Sequence, residues 1–381
     1  MRRGIISGRF GGIEMGNSKK RILMLNYEFP PLGGGASPVS YELAKGYAEL
    51  GHKVDVVTMG YKNLPKQETK HKNLNIYRVK CWRSKKEICH PWEQLTYLTS
   101  AKKFLREHLR DNEYGVCHCH FIIPTGILAL WVKKNFEIPY IVTAHGSDVL
   151  GYNKRFKKLY PLLVKPWKKI IKNANLITTP SKYLQDEIKK ITTQGKFIVI
   201  PNGIDKNKFK PLKKEKRILV VARLFENKGV QDILDALKDI NLKHEGWKID
   251  IVGKGPYRSF LENKTKENGL KNVKFHGWVD NNSKKMKEFY GHASIFVSAS
   301  WFESFGLTVL ESISAGCYPF VSDIGGHRQI LGEDKYFFKK GDSEELRKKL
   351  KKLVSKKIKK VKLNEKFNWN NIIKKYVEVL G

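Results

Sequence analysis

The chain has 381 residues, 41% of them hydrophobic, and carries a formal net charge of +36 from 73 Lys+Arg against 37 Asp+Glu. That length exceeds what one core usually supports and predicts two domains, and no apolar run approaches the ~18 residues of a membrane-spanning helix. The charge favours an anionic partner (nucleic acid, an anionic bilayer surface or a phosphorylated substrate), against the alternative of a lysine-rich solvated surface.

Residues 1–20 are rich in Arg and Gly and lack the apolar core of a signal peptide, so they are expected to form a disordered leader, with Met15 as an alternative start. From residue 21 onward, predicted strands at 21–27, 53–59, 75–80, 116–121, 140–144, 176–179 and 197–200 alternate with helical stretches such as 37–50 and 97–110. Most of the strands are continuous apolar runs, the pattern of strands buried on both faces. After Pro201-Asn202-Gly203 and a basic stretch the series restarts, with strands at 217–222, 249–252, 273–275, 295–297 and 318–321. Two successive strand–helix series predict an α/β protein: two Rossmann-like parallel-sheet domains facing a cleft, joined within 203–216. Ligand-binding residues are then expected just beyond the carboxyl ends of strands.

The first such loop is Pro30-Pro31-Leu32-Gly33-Gly34-Gly35-Ala36-Ser37-Pro38. Its glycines allow close approach of backbone to a ligand, Ser37 is a natural helix N-cap, and free amides there favour an anion such as a diphosphate. The G-x-G-x-x-G spacing and the acidic residue of a dinucleotide site are missing, which disfavours a nicotinamide oxidoreductase. In Cys117-His118-Cys119-His120, strand alternation sends the cysteines to one face and the histidines to the other, so the tract does not make a four-ligand metal site. The five cysteines form no even framework, as expected of a reducing compartment. His145-Gly146-Ser147-Asp148 follows a strand and places an imidazole where substrate chemistry is expected; a structural histidine is the alternative.

The basic and aromatic stretch from Lys154 to Lys172 is expected to be a helix broken near Pro161 and Pro166, with Tyr, Trp and Leu dipping into an anionic membrane; a helix with its apolar side in the core is the alternative. Arg223 and Lys228 follow the first strand of the second series, where two cations can hold a pyrophosphate. Residues 298–311 (SASWFESFGLTVLE) follow another strand and open a helix. Glu303 is expected in the loop and Glu311 about two turns into the helix, both facing the cleft, where carboxylates accept from vicinal hydroxyls. The amides of Phe305-Gly306-Leu307 add an anion-binding helix start.

These motifs, with Ile200-Pro201-Asn202-Gly203-Ile204-Asp205, Val252-Gly253-Lys254-Gly255-Pro256, Phe275-His276-Gly277-Trp278-Val279 and Ser314-Ala315-Gly316, resemble the retaining glycosyltransferases of family 4, which have the GT-B fold. The resemblance covers nearly the whole chain from residue 21. It implies an acceptor-binding domain over 21–205, a nucleotide-sugar-binding domain over 206–362, and a closing helix over 363–381, carrying Trp369 and Tyr376, that crosses back to the first domain. It implies a nucleoside-diphosphate sugar as co-substrate, with no metal and no other cofactor. Arg223 and Lys228 would contact the diphosphate, Glu311 the ribose, and Glu303 with Phe305, Gly306 and Leu307 the donor sugar and phosphate. Gly33 and Gly34 would close on the phosphates, and His145 would lie beside the reacting sugar. The hexose (mannose, glucose or an N-acetylhexosamine) would be transferred with retention by same-face attack rather than through Glu303 as a covalent nucleophile. The basic and aromatic stretch of the acceptor-side domain, rather than the resemblance, points to a lipid-linked or cell-surface glycan as acceptor and to a cytoplasmic protein, peripheral on the inner membrane face if that stretch binds it.

One position departs from the pattern: the family's usual glutamate after Gly325-Gly326 is Gln329, which keeps length and hydrogen bonding but not charge, and bears on donor preference if it touches the sugar or the helix behind it. The competing enzyme reading is a GT-B sugar-nucleotide epimerase or phosphorylase, although epimerases of that shape lack the Glu303/Glu311 context and no phosphorylase cofactor lysine is evident. The competing reading from another class is a basic nucleic-acid-binding protein, for which no motif exists and only non-specific binding is expected. Nothing in the sequence speaks to oligomeric state.

Overall fold

The computed structural model describes residues 19–151, 159–238, 240, 242 and 246–380; most of the expected leader (1–18) and the basic residues 154–158 lie outside them. The first half contains β1 (Arg21–Leu25), α1 (Ala36–Glu49), β2 (Lys53–Met59), β3 (Gln67–His71), β4 (Leu74–Val79), α2 (Pro91–His108), β5 (Val116–His120), α3 (Thr125–Phe136), β6 (Tyr140–Thr143), α4 (Tyr160–Asn173), β7 (Leu176–Thr179), α5 (Lys182–Lys189) and β8 (Phe197–Val199). The second contains β9 (Glu215–Val221), α6 (Val230–Leu237), β10 (Lys248–Val252), α7 (Arg258–Glu267), β11 (Val273–Gly277), α8 (Lys284–His292), β12 (Ala293–Ser298), α9 (Leu307–Ser314), β13 (Tyr318–Ser322), α10 (Gly325–Arg328), β14 (Phe337–Phe338), α11 (Ser343–Val354) and α12 (Trp369–Val379).

The strands form an eight-stranded sheet in the order β3-β4-β2-β1-β5-β6-β7-β8 and a six-stranded sheet in the order β11-β10-β9-β12-β13-β14. Every adjacent pair is parallel except β3–β4. Two strands have no counterpart among the predicted ones. β3 (Gln-Glu-Thr-Lys-His) is a polar edge strand without an apolar run, and β14 is too short to show a period. In each sheet the strand order reverses once, between β1 and β5 and between β9 and β12. A crevice opens beyond the carboxyl ends at such a reversal, which is where ligands bind in open α/β sheets.

Period-two alternation fixes which face each strand residue serves. Leu23 and Leu25 of β1 join Cys117, Cys119, Val142, Tyr97, Leu128, Trp167 and Ile170 in one core beneath α2, α3 and α4. Ile22 and Met24 face the opposite side and pack with Leu43, Tyr47, Ile372, Ile373 and Tyr376 of α1 and α12. The C-terminal helix thus lies on the first sheet. Gly46 of α1 admits it, since a Cβ there would stand 2.1 Å from Ile373 Cδ1, and a Cβ on Gly203 would stand 2.4 Å from the Trp369 ring.

Three local expectations are corrected. Gly35, not Ser37, is the N-cap of α1 and supplies no side-chain bond; Ser37 lies inside the first turn. α2 starts at Pro91, six residues earlier than predicted, because Pro91 suits the first turn and Glu93 completes a capping box with His90. α4 is not broken: Pro161 occupies its first turn, where no N–H is needed, and Pro166 is carried within the helix. Trp167, expected to dip into a membrane, is fully buried, and its Nε1–H donates to the Asp148 carbonyl at 3.0 Å.

Candidate active site

Two loops at the reversal of the second sheet are pressed together backbone to backbone. Gly229 adopts φ 65°, and a Cβ on it would stand 2.0 Å from the Ala299 carbonyl oxygen, so the turn after β9 lies directly on the loop after β12. This approach brings Lys228 to Glu303: Lys228 Nζ forms an ion pair with Glu303 Oε1, which also accepts from Ser300 Oγ at 3.0 Å. Burial pushes the Glu303 carboxyl up, but the Lys228 charge and hydrogen bond, His327 and Ser300 outweigh it and hold the group below its ordinary value. Arg223 stays exposed, its guanidinium 5.5 Å from the Phe225 ring centroid, with no ion pair among the described residues.

α9 begins at Leu307 behind Gly306, whose φ of 108° only glycine adopts readily, and no side chain caps the helix. Its first amides are therefore open to an anion beside the Lys228–Glu303 pair. Phe305 is buried against Phe367 and anchors the loop from below. Glu311 lies in the second turn of α9 and is held by other partners: Asn281 Nδ2 donates to Oε1 at 2.9 Å and the Tyr290 hydroxyl to Oε2 at 2.7 Å. Burial raises its pKa. Each of these oxygens keeps a second lone pair for a ligand hydroxyl.

Across the cleft lies the glycine-rich loop after β1. A Cβ on Gly35 would come within 3.9 Å of Leu307 Cδ1, while Gly34 faces open space. Gly33 has φ 92° and donates to the Lys86 carbonyl; Gly34 N–H makes a long 3.4 Å bond to Glu28 Oε2. Burial raises the pKa of Glu28, opposed by Arg83, the Gly34 amide and Arg223 from the other half. The two halves also touch directly: Ser181 Oγ donates to the Ser304 carbonyl at 2.6 Å, Lys182 N–H to Gln329 Oε1 at 3.2 Å, and Lys254 pairs with Glu87 at 2.8 Å. Gln329 thus spends an acceptor on the start of α5, tying the halves together.

His145 follows β6 and meets His120, the last residue of β5: His120 Nδ1 and His145 Nε2 are 3.0 Å apart. Asp148 organises this corner. One carboxylate oxygen accepts from the amides of His145 and Gly146 at 3.0 and 2.9 Å, the other from Ile122 at 2.7 Å, joining the loops after β5 and β6. Burial lowers the His145 pKa to about 3, so the ring is neutral near pH 7. The Cys117-His118-Cys119-His120 tract divides as alternation predicts, with the cysteines in the core under α2–α4 and His118 bonded to Thr143 at 2.7 Å and stacked on Tyr376. Among the described residues no group of three or more His, Cys, Asp or Glu is arranged to hold a metal ion.

Family models account for the chain in two parts: "Glycosyltransferase Family 4" matches residues 33–208 and "Glycosyl transferases group 1" residues 203–371. An uncharacterized glycosyltransferase of Methanocaldococcus jannaschii is 30% identical over 342 residues, covering 82% of each chain. This chain belongs to the family 4, group 1 glycosyltransferases. The alpha-monoglucosyldiacylglycerol synthase of Acholeplasma laidlawii is 25% identical over 321 residues, 77% of this chain and 78% of that one. Among solved structures, the sucrose-phosphate synthase of Thermosynechococcus elongatus superimposes with a TM-score of 0.81 at 18% identity, over 95% and 98% of the two chains. Anabaena HepE, in complex with UDP and glucose, gives 0.73 at 17% over 95% and 99%. The glycosyltransferase therefore has the GT-B fold that the family resemblance implies, built on the two Rossmann-like sheets its strand–helix series predicts, and it is a sugar-transferring enzyme.

The structure brings Lys228 and Glu303 into contact, sets the Gly33–Gly35 loop against the start of α9 through Gly35, and leaves Arg223 exposed over Phe225, without an ion pair among the described residues. Sequence reasoning missed Glu28, Ser181, Asn281 and Tyr290, and gave no role to Asp148 and Ser300 within the motifs that contain them. Asp148 had a local signal, an acid three residues after His145 with a glycine between, the pattern of a side chain closing its own turn. Asn281 and Tyr290 had none, since only the folded second domain carries them to Glu311.

Proposed function

We propose that this glycosyltransferase moves a hexose from a nucleoside-diphosphate sugar to a hydroxyl acceptor, with the donor held mainly by the second domain. The observation that carries the reading is the Lys228–Glu303 pair beside the uncapped start of α9, facing the Gly33-Gly34 loop across the cleft. In this reading Lys228, Arg223 and the amides of Phe305, Gly306 and Leu307 neutralise charge developing on the departing diphosphate. Glu303 accepts from donor-sugar hydroxyls, Glu311 from the ribose, and Gly33 and Gly34 close from the other side. His145 lies beside the sugar as a neutral hydrogen-bonding ring. Departure of the diphosphate and attack by the acceptor on the same face retain the anomeric configuration, and the leaving phosphate takes the acceptor's proton. The protein contributes positioning and charge stabilisation rather than a nucleophile.

The test is hydrolysis and transfer with UDP-, GDP- and ADP-hexoses, scored for the anomer formed. Activity with none of them, or an inverted product, overturns the reading. Thermal shifts with the free diphosphates identify the base, because a ligand at 100 times its Kd adds about 2.7 kcal/mol.

For the acceptor, the supported class is a lipid-linked or membrane glycan at an anionic surface. α4 exposes Leu162 (76% accessible) on a helix that also carries Lys165, Lys168, Lys169 and Lys172, and one relative is by name an alpha-monoglucosyldiacylglycerol synthase. No helix among the described residues is long and apolar enough to cross a membrane, so contact would be peripheral. Sedimentation with anionic vesicles, weakening with salt, is expected; no binding at low salt removes this part. Non-specific nucleic-acid binding through the +36 charge would show the same salt dependence without vesicles.

A further inference from the structure

His120 is fully buried at the carboxyl end of β5, and its Nε2 has no hydrogen-bond partner among the described residues. Its other ring nitrogen, Nδ1, lies 3.0 Å from His145 Nε2. The ring centroids are 5.2 Å apart with an interplanar angle of 15°. That separation equals the N···N distance plus the two ring radii, so the rings lie edge to edge in nearly one plane, as a hydrogen bond between imidazoles requires, and not face to face.

A neutral imidazole carries one proton, and the bond needs one donor and one acceptor. Two arrangements satisfy it. If His145 Nε2–H donates, the His120 proton must sit on Nε2, where a buried N–H would be left without an acceptor. If His120 Nδ1–H donates, the unpartnered atom is only a bare ring nitrogen, and no donor is stranded. Either unpartnered atom loses its hydration, but an orphaned buried N–H is the rarer of the two in folded proteins, so the second arrangement is favoured. It also fixes the neighbour: with its Nε2 lone pair engaged, neutral His145 holds its proton on Nδ1.

We propose that His120 is a positioning residue that sets the tautomer of His145, presenting His145 Nδ1–H as a hydrogen-bond donor at the cleft. The surroundings hold both rings in register. Asp148 clamps the amides of Ile122, His145 and Gly146, fixing the loops that follow both strands. Thr125 Oγ1 donates to the His120 carbonyl, anchoring the backbone on that side. His118, the preceding histidine on the same face, is satisfied by Thr143 and Tyr47 and does not compete. A His145 fixed as a donor suits a sugar hydroxyl or developing negative charge and is unsuited to accept a proton through Nε2, which is already occupied. The use of this donor rests on the placement of His145 beside the sugar; the tautomer does not.

The tautomer can be read without any substrate. In imidazole-15N-labelled full-length protein, long-range 1H–15N spectra, with His145 signals identified by their loss in His145→Asn, should show a protonated Nδ1 and an unprotonated, hydrogen-bonded Nε2. A His145 protonated on Nε2 in the unmodified chain overturns the proposal. In His120→Leu the constraint is gone and the Nε2–H form of His145 should appear; in His120→Asn, whose amide can place an N–H where Nδ1–H was, the Nδ1–H form should persist. A folded His120→Leu with the His145 tautomer unchanged also overturns it. Transfer assays separate this from the reading of the site. At metal sites, loss of an outer partner that orients a ligating histidine typically costs about 10- to 100-fold in affinity or activity; a fall of the same order is expected here for His120→Leu in kcat, largely rescued by His120→Asn. A shifted tautomer with full activity supports the role of His120 and removes His145 from the reaction.

Discussion

Replacing Lys228 by methionine separates its pairing with Glu303 from its proposed role as a charge for the departing diphosphate. In the wild-type structure the Lys228 and Glu303 side chains are 14% and 25% accessible, so the pair is largely but not wholly desolvated. Lys228→Met leaves the Ser300 hydroxyl as the carboxylate's remaining side-chain hydrogen bond among the described residues, in a site where burial already disfavours charge. Breaking a fully buried pair costs about 3–5 kcal/mol; with this accessibility about 1–2 kcal/mol is expected, a Tm fall of about 2–8 °C for a domain of this size. The Glu303 carboxyl, now below its ordinary 4.5, should rise above it. In the wild type, a folded pKa below the unfolded one contributes stability above pH ~4.5 that is lost as pH falls through the folded value, so the variant should lose this acid-sensitive component. Activity should fall much further than stability. Losing one preorganised charge at a developing anion typically costs about 10²–10³ in kcat. The deciding measurement is the double variant Lys228→Met/Glu303→Gln, followed by thermal denaturation and by initial rates with saturating donor. Removing the stranded charge should restore most of the stability and none of the rate. Recovery of the rate with the stability would refute the argument, because Lys228 would then serve only to neutralise Glu303.

Asp148→Ala removes the acceptor of three backbone amides at once, and should lower stability by about 2–4 kcal/mol in urea titrations while disordering His145, so activity falls even where the fold survives. Glu311→Ala removes the proposed ribose contact but leaves the diphosphate groups in place; donor KM and nucleoside-diphosphate Kd should rise about tenfold, with kcat nearly unchanged. His118 and His145 are both held neutral by burial at about 3, below the ordinary 6.5. Unfolding lets each take up a proton, so stability should fall as pH drops from about 6.5 toward 3, by up to about 1.4 kcal/mol per pH unit for each group. The kcat profile should show no His145 inflection between pH 5 and 8. Stability that does not fall between pH 6.5 and about 3 would show that the two rings are not buried as neutral groups.

Much of this architecture was legible locally. Continuous apolar runs announced buried parallel strands, and their restart after residue 203 announced the second sheet. Alternation alone sorted Cys117 and Cys119 from His118 and His120. The polar edge strand β3 was hidden because its only reason to be a strand is the backbone of β4 beside it. Trp167 misled because amphipathic spacing states that one side is apolar without stating what covers it, and the cover is Asp148 with the core under α2–α4.

What the sequence by itself determined is therefore the strand–helix order, the two-sheet class and the location of Lys228, Glu303 and His145 at strand ends, all consequences of short-range periodicity. Tertiary structure alone decided which groups these residues meet. Gly229 resting on Ala299 joins Lys228 to Glu303, Asn281 and Tyr290 reach Glu311 from α8 and the turn before it, and the register of β5 against β6 sets His120 beside His145. The physical reason is one of range: periodicity acts over a turn of helix or a few strand residues, while a buried charge or imidazole is defined by partners that only the closed fold delivers.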